Sequence, residues 1–189
     1  MKNTTTALII LVSSVQLVFA EPPSPVTKTG QTISYRVGDD GDLKTGVAWP
    51  NSRFTVITNG TAVTVLDQLT GLEWVQAPHS LSGNSGEVVW NSAIDFCNNL
   101  VYAGQSGWRL PSRRELMSLL DYGCSFPALP ARHPFSGVRY HYPSESYWSG
   151  TSYINSTSSA WSVEMRFGNV GNDGKATGYK YVWPVRGGQ

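Results

Sequence analysis

Hydrophobic and polar positions follow two different periods along this chain, and the changes of period mark out its elements. Residues 53–76 read as β structure. Phe54-Thr55-Val56-Ile57-Thr58 and Thr61-Ala62-Val63-Thr64-Val65 are β-branched runs on either side of Asn59-Gly60, a two-residue hairpin signal. A second turn over residues 67–71 leads into a third run, residues 72–76. The period then lengthens. Trp90, Ala93, Ile94, Cys97 and Leu100 recur at the spacing of one helical face, which predicts a first helix. Its start is poorly capped: Val89 has no side-chain acceptor, and Asn91 stands one position late. Residues 104–107 end it.

Trp108-Arg109-Leu110 is a short strand-like run that meets Pro111 and turns into a second helix. Ser112 and Glu115 have the S-x-x-E spacing of a capping box, in which each side chain bonds the other's backbone N–H. Leu116, Leu119 and Leu120 give this helix one apolar face, and Gly123 supplies the stop. The last third returns to strand composition, in residues 146–149, 160–167 and 180–186. In the middle run Trp161, Val163, Met165 and Phe167 alternate with Ser162, Glu164 and Arg166, the pattern of a half-buried strand. Residues 168–174 read as a turn-rich connection. Strands, two helices, then strands argue an α+β domain with an antiparallel sheet.

The N-terminal fifth is different. Residues 7–18 are apolar apart from Ser13, Ser14 and Gln16, follow the single charge of Lys2, and end at Val18-Phe19-Ala20 with small residues at the two positions read for cleavage. Residues 1–20 are therefore expected to be an export signal, with an uncleaved anchor as the alternative. The run is shorter than the ~20 apolar residues a membrane span needs, so no span is expected after cleavage. Residues 21–52 are expected to form an extended, polar, proline-bearing leader. Within it Gly38-Asp39-Asp40-Gly41-Asp42 has the makings of a calcium loop, yet the D-x-D-x-D-G pattern is incomplete and an Asx-type turn is favoured. Residues 53–189 are the expected domain.

Composition narrows the classes of function. Without Lys2, the remaining 13 Lys and Arg balance 13 Asp and Glu, so no basic excess collects nucleic acid. Charged residues make up only 14% of the chain while aromatics reach 12%, which suits a loop-rich exported domain that packs with aromatics. Cys97 and Cys124 are the two cysteines. In an oxidising compartment a disulfide between them is expected, tying the two helices together, against the alternative of two buried free thiols. Asn59-Gly60-Thr61 and Asn155-Ser156-Thr157 are glycosylation sequons, too short and common to carry weight.

Several separated blocks, in order, resemble the Lcl C-terminal domain family, a bacterial family named after the end of a collagen-like surface adhesin. They are Asp67-x-x-Thr70-Gly71-Leu72-x-Trp74; Trp90-x-x-Ala93-x-x-Phe96-Cys97-x-x-Leu100; Gly107-Trp108-Arg109-Leu110-Pro111-x-x-x-Glu115-Leu116; Tyr147-Trp148-Ser149-x-Thr151; Ala160-Trp161; and Val182-x-x-Val185-Arg186. The resemblance runs from about residue 67 to residue 186. It implies a C-type-lectin-like fold, with two helices on a small twisted antiparallel sheet, an N-terminal β-hairpin and a long-loop face. It is similar in layout to formylglycine-generating enzymes, and it implies sulfated-glycan binding at surfaces. No collagen-like Gly-X-Y tract accompanies it here. The Glu-Pro-Asn and Gln-Pro-Asp triplets of calcium-dependent sugar lectins are absent too.

Chemistry-bearing residues give no enzyme signature. His79, His133 and His141 are scattered, and a site from His133, His141 and Glu145 matches neither H-E-x-x-H nor a zinc-finger spacing. No G-x-S-x-G elbow supports a serine nucleophile. Cysteine-based oxygen chemistry needs an activated thiol pair near the chain's end, which these positions do not provide. No metal and no cofactor is expected.

A binding module fits better. Trp148, Trp161 and Trp183 are expected in the core. Asn169, Asn172, Asp173, Lys175 and Tyr179, in the loop-rich stretch between them, are the expected ligand-binding residues, with amides and a ring suited to a sugar. Arg109 and Arg113 at the second helix are candidates for a sulfate, or for ion pairs with Glu115 or Asp121. The expectation is an exported, non-enzymatic domain that binds a glycan or a surface protein. A structural or assembly domain of the envelope is the alternative.

Overall fold

The computed structural model describes residues 26–188. The expected export segment 1–20 lies outside them. The chain is α+β, with two small antiparallel sheets and few helices. A short helix, α1 (Asp40–Leu43), precedes a hairpin of β1 (Phe54–Asn59) and β2 (Ala62–Asp67), then β3 (Leu72–Val75). The helices α2 (Trp90–Asn99) and α3 (Arg113–Ser118) follow. The chain closes with β4 (Ser146–Ser152), β5 (Ser159–Glu164), β6 (Val170–Gly174) and β7 (Val185–Gly187). The first sheet has the order β1-β2-β3-β7 and the second β4-β5-β6.

Local signals set the first half. The hairpin pairs in unbroken register from Phe54↔Asp67 to Asn59↔Ala62. The turn residues are therefore Gly60 and Thr61, and Gly60 alone takes a left-handed φ, +62°. That is the Gly-first turn form rather than the Asn-Gly form the sequence suggests. Helix α2 starts without a side-chain cap. The capping box of α3 is complete: Ser112 Oγ accepts from Glu115 N–H, and Glu115 accepts from Ser112 N–H. Leu116, Leu119 and Leu120 are all buried beneath it.

The second half departs from the expected strands. Residues 168–174 contain a full strand, β6, in register with β5 from Ser159↔Gly174 to Val163↔Val170. Its two glycines, Asn172 and Asp173 lack strand composition. It is held by its partner's ladder. The expected strand at residues 180–186 is instead broken. Lys180 bridges Val88, Tyr181 bridges Tyr147, and only Val185 onward joins β3. Pro184 has no N–H to continue a ladder, and its carbonyl accepts from Val75 N. The Arg109 and Val185 backbones exchange two hydrogen bonds, so the strand-like run before α3 lies beside β7.

The second sheet is the middle layer. Helix α3 packs on β4 and β5, and α2 packs on β4. One apolar cluster joins α3, both sheets and the closing segment through Trp74, Leu116, Tyr147, Val163, Met165 and Trp183. A second lies under α2, around Ala93, Cys97, Leu110, Trp148, Ala160 and Val182. Indole N–H groups tie these layers: Trp148 Nε1 donates to Val88 O, Trp90 Nε1 to Ser149 O, and Trp183 Nε1 to Val75 O. On the first sheet β1 is an open edge, with Val56 and Ile57 exposed.

Two expectations are corrected here. Cys97 and Cys124 are both free thiols. Helix α2 turns Cys97 into its own apolar cluster, while Cys124, beyond α3, donates its thiol to Asp121 Oδ2. The described part of the leader is not one extended run. Thr27 bridges Val47, α1 forms between them, and Thr29 O accepts from Tyr122 N. Gly30, at φ +90°, lets this loop sit against Asp121, where a Cβ would stand 2.0 Å from Oδ1. The Gly38–Asp42 knot builds α1 itself. The Asp39 carboxylate accepts from Asp42 N as N-cap and also from Tyr35 N, and Asp42 accepts from Gly38 N.

Candidate functional site

Side chains alternate across a strand, so Ser162 and Glu164 share a face of β5. Cross-strand register places Ser146 opposite Glu164, Trp148 opposite Ser162 and Ala160 opposite Asp173. Helix α2 covers the Trp148 and Ala160 end of this face. Beyond it the face opens into a cleft of about 340 Å³, lined by Ser146, Ser162, Glu164, Asn169, Asp173 and Lys180, with Pro143, Ser144 and Phe167 at its margin. Gly171 stands opposite Ser162, and a Cβ there would come within 3.9 Å of the hydroxyl, so its absence keeps the floor open.

The floor is buried yet polar. Ser146, Ser162 and Glu164 are each more than nine-tenths buried. Glu164 Oε1 accepts from Phe167 N at 2.9 Å, and Oε2 accepts from Asn169 Nδ2 at 2.8 Å. Neither serine hydroxyl has a hydrogen-bond partner among the described residues, so both are available to a ligand. On one wall Lys180 Nζ lies 3.0 Å from Asp173 Oδ2, and this hydrogen bond holds the Asp173 carboxyl below its ordinary pKa.

The five residues expected to bind ligand are dispersed. Asn169 and Asp173 line the cleft. Asn172 reaches its rim, but it pairs with Trp161 and so points its side chain to the opposite face. Lys175 is engaged elsewhere: its Nζ donates to Ser152 Oγ at 2.6 Å and lies 4.3 Å from the Trp90 ring. Tyr179 is 59% exposed and outside the cleft lining. Ser146, Ser162, Glu164 and Lys180 were not expected. The alternation within residues 160–167 marked Ser162 and Glu164 as a polar face. Only the pairing of β6 shows that this face is walled in.

Other expected sites resolve into internal contacts. Arg109 makes a two-pronged ion pair with Glu115, at 2.7 and 2.6 Å, and its Nη2 also donates to Gly187 O. Burial opposes the Glu115 charge, yet the bonds from Arg109 and Ser112 hold its pKa low. Arg113 stacks 4.6 Å from Trp161, which is only half-buried, unlike Trp148 and Trp183. Among the described residues, no group of three or more His, Cys, Asp or Glu clusters as metal ligands do. His133 stacks on Phe135, and Glu145 accepts from the backbone of His141 and Tyr142. A cleft of about 310 Å³ lies between residues 28–49 and Asp121. Its carboxylates are already engaged by Thr29, Gly123 and Cys124.

His79 has a structural setting. Its Nδ1 lies 3.3 Å from Asn84 O, a pure acceptor, so Nδ1 carries the proton and donates. Nε2 then accepts from the Tyr147 hydroxyl at 3.1 Å, whose oxygen accepts from Arg139 N at 2.8 Å. Burial, with the nearby Arg139 charge, pushes the His79 pKa down to about 4. The folded state thus binds fewer protons than the unfolded one between pH 6.5 and about 4. Stability from this group is complete above the unfolded value and is lost as pH falls through that window, by up to about 3 kcal/mol. Urea melts at pH 7.5 and 4.5 should show this loss, and His79→Gln should flatten the difference.

The family model described as the Lcl C-terminal domain matches residues 63–186, a span holding all of the second sheet, most of the first, both longer helices and the cleft. No curated protein matches the chain.

Proposed function

This chain belongs to the Lcl C-terminal domain family, and from that premise we propose that it is an exported, non-enzymatic binding domain of C-type-lectin-like fold whose β4–β6 cleft receives a glycan. Two helices against small antiparallel sheets are the layout such a fold requires. The observation that carries the reading is the cleft floor: two unpartnered serine hydroxyls beside a buried carboxylate, next to the partly exposed Phe167 ring. Sugar hydroxyls both donate and accept, and the electron-rich face of an aromatic ring offers a surface to sugar C–H groups. Burial pushes the Cys97 thiol up to about 12, and burial with the Asp121 charge raises that of Cys124, which disfavours thiolate chemistry. No helix among the described residues is long and apolar enough to cross a membrane.

A glycan-array screen at low and high salt, with and without chelator, tests the reading. A hit that survives salt is the expected result. Ser162→Ala should then weaken it about three- to tenfold, the worth of one hydrogen bond. Unchanged affinity would move the site away from this cleft. One observation favours the second reading, an assembly domain of the envelope. The open β1 edge has exposed Val56 and Ile57 and no charged residue. Blank arrays together with a protein partner that protects β1 from amide exchange would favour it.

A further inference from the structure

The charges of the cleft specify more than a sugar. Glu164 is 6% exposed. It belongs to none of the four ion pairs among the described residues, which are Arg53–Asp67, Arg109–Glu115, Lys180–Asp173 and Arg186–Glu73. Its neighbour Arg166 is turned away, its guanidinium 4.7 Å from the Phe126 ring and 5.0 Å from that of Phe167. Two neutral donors, Phe167 N–H and Asn169 Nδ2, therefore satisfy the carboxylate only in part. An ionised carboxylate offers about four acceptor directions, so about two remain free. A buried charge without a counter-charge is costly, and a cation that reaches it relieves that cost.

The rest of the lining does not supply the cation. Lys180 is committed to Asp173 on the wall. Counting Glu164, Asp173 and Lys180, the cleft carries one net negative charge. A sulfate or carboxylate on the ligand would meet like charge at its floor. Ser146 and Ser162, with hydroxyls free, flank the same floor and suit hydroxyl groups next to a cation. The volume, about 340 Å³, is near the lower end of small-molecule clefts, room for about one sugar ring.

We propose that the cleft selects a hexosamine with a free, protonated amine, held by Glu164 and oriented by Ser146 and Ser162. This rests on the glycan-binding reading above and gives it a ligand class. The amine donates to the open lone pairs of Glu164, and the adjacent sugar hydroxyls bond the two serines. Phe167 borders the ring from the rim.

Titration of the purified protein at pH 6.5 with glucosamine, N-acetylglucosamine, glucose, glucuronate and lysine amide tests this by amide chemical shifts. Glucosamine should bind at least tenfold more tightly than N-acetylglucosamine or glucose, and glucuronate should bind least. Glu164→Gln should erase the preference for glucosamine over glucose. Lys180→Gln, at the wall, frees Asp173 and should enlarge that preference. It serves as the second variant should Glu164→Gln lose its fold. Equal binding of glucosamine and glucose, or tighter glucuronate, would overturn the amine proposal and leave glycan binding standing. Lysine amide equal to glucosamine would replace the sugar with a peptide. Shifts from none of the five in the cleft residues would bring down both this proposal and the reading beneath it.

Discussion

Asp67→Ala is expected to destabilise the domain by about 3–5 kcal/mol, the cost of leaving a buried charge unpaired. Asp67 is fully buried at the end of β2. Its Oδ1 accepts from Arg53 Nε and Leu69 N, and its Oδ2 from Arg53 Nη2 and Thr70 Oγ1. Arg53 is itself buried, held 4.8 Å from both the Trp49 and Phe54 rings, and Nη2 reaches the carbonyl of Ser118 at the end of α3. Removing the carboxylate strands this cation and two further donors, Leu69 N–H and the Thr70 hydroxyl, at once. At ~2–4 °C per kcal/mol for a chain of this size, the melting temperature should fall by roughly 10 °C. Asp67→Asn keeps acceptor capacity and should cost less. The double replacement Arg53→Met with Asp67→Leu should recover most of the loss, because the stranded charge goes with its partner. Urea unfolding of the three variants checks the order. A double variant no better than Asp67→Ala would show that the turn contacts to Leu69 and Thr70, rather than the charge, dominate.

Trp183→Ala is the second large effect, at about 3–5 kcal/mol for a buried indole replaced by a methyl. Trp183 is fully buried where the two sheets meet. Its ring lies 5.7 Å from Trp74 on β3, 5.2 Å from Tyr147 on β4 and 4.9 Å from Phe135 in the long loop. Its N–H is spent on Val75 O. The resulting cavity thus faces both sheets, and neither can relax into it without moving the other. Trp183→Phe refills part of the volume and should cost less, though Val75 O loses its donor. Tyr179→Ala, in the exposed loop four residues away, should stay within about 0.5 kcal/mol. Equilibrium unfolding separates them, and near-ultraviolet dichroism should lose its aromatic signal only in the Trp183→Ala protein.

What the sequence made legible was local. The α3 capping box needs only residues 112–115, and the α2 face only a helical period, so both stand where the pattern puts them. The hairpin of β1 and β2 follows from one turn and two β-branched runs. The family blocks, from about residue 67 to 186, fall within the matched span 63–186. What escaped depends on distant partners. Strand β6 has the composition of a turn and becomes a strand because β5 supplies its ladder. Cys97 within the first helix and Cys124 just past the second invite a bridge, but each thiol faces a different environment. The candidate site was half legible for the same reason. Residue type alone points to Asn169 and Asp173, which line the cleft, while Ser162 and Glu164 need the register that walls them in. Lys175 and Tyr179 have suitable chemistry, but the structure places them outside the cleft.

The two unbonded thiols also make the molecule its own stopwatch. Cys97 is sealed under α2 with its pKa pushed up to about 12, so a thiol reagent reaches it only when that cluster comes apart. Cys124 is only partly covered, beside the loop that follows α3, and answers to smaller openings there. Labelling rates at the two positions, followed in one sample without any engineered probe, therefore separate breathing of the α3 end from disassembly of the whole domain.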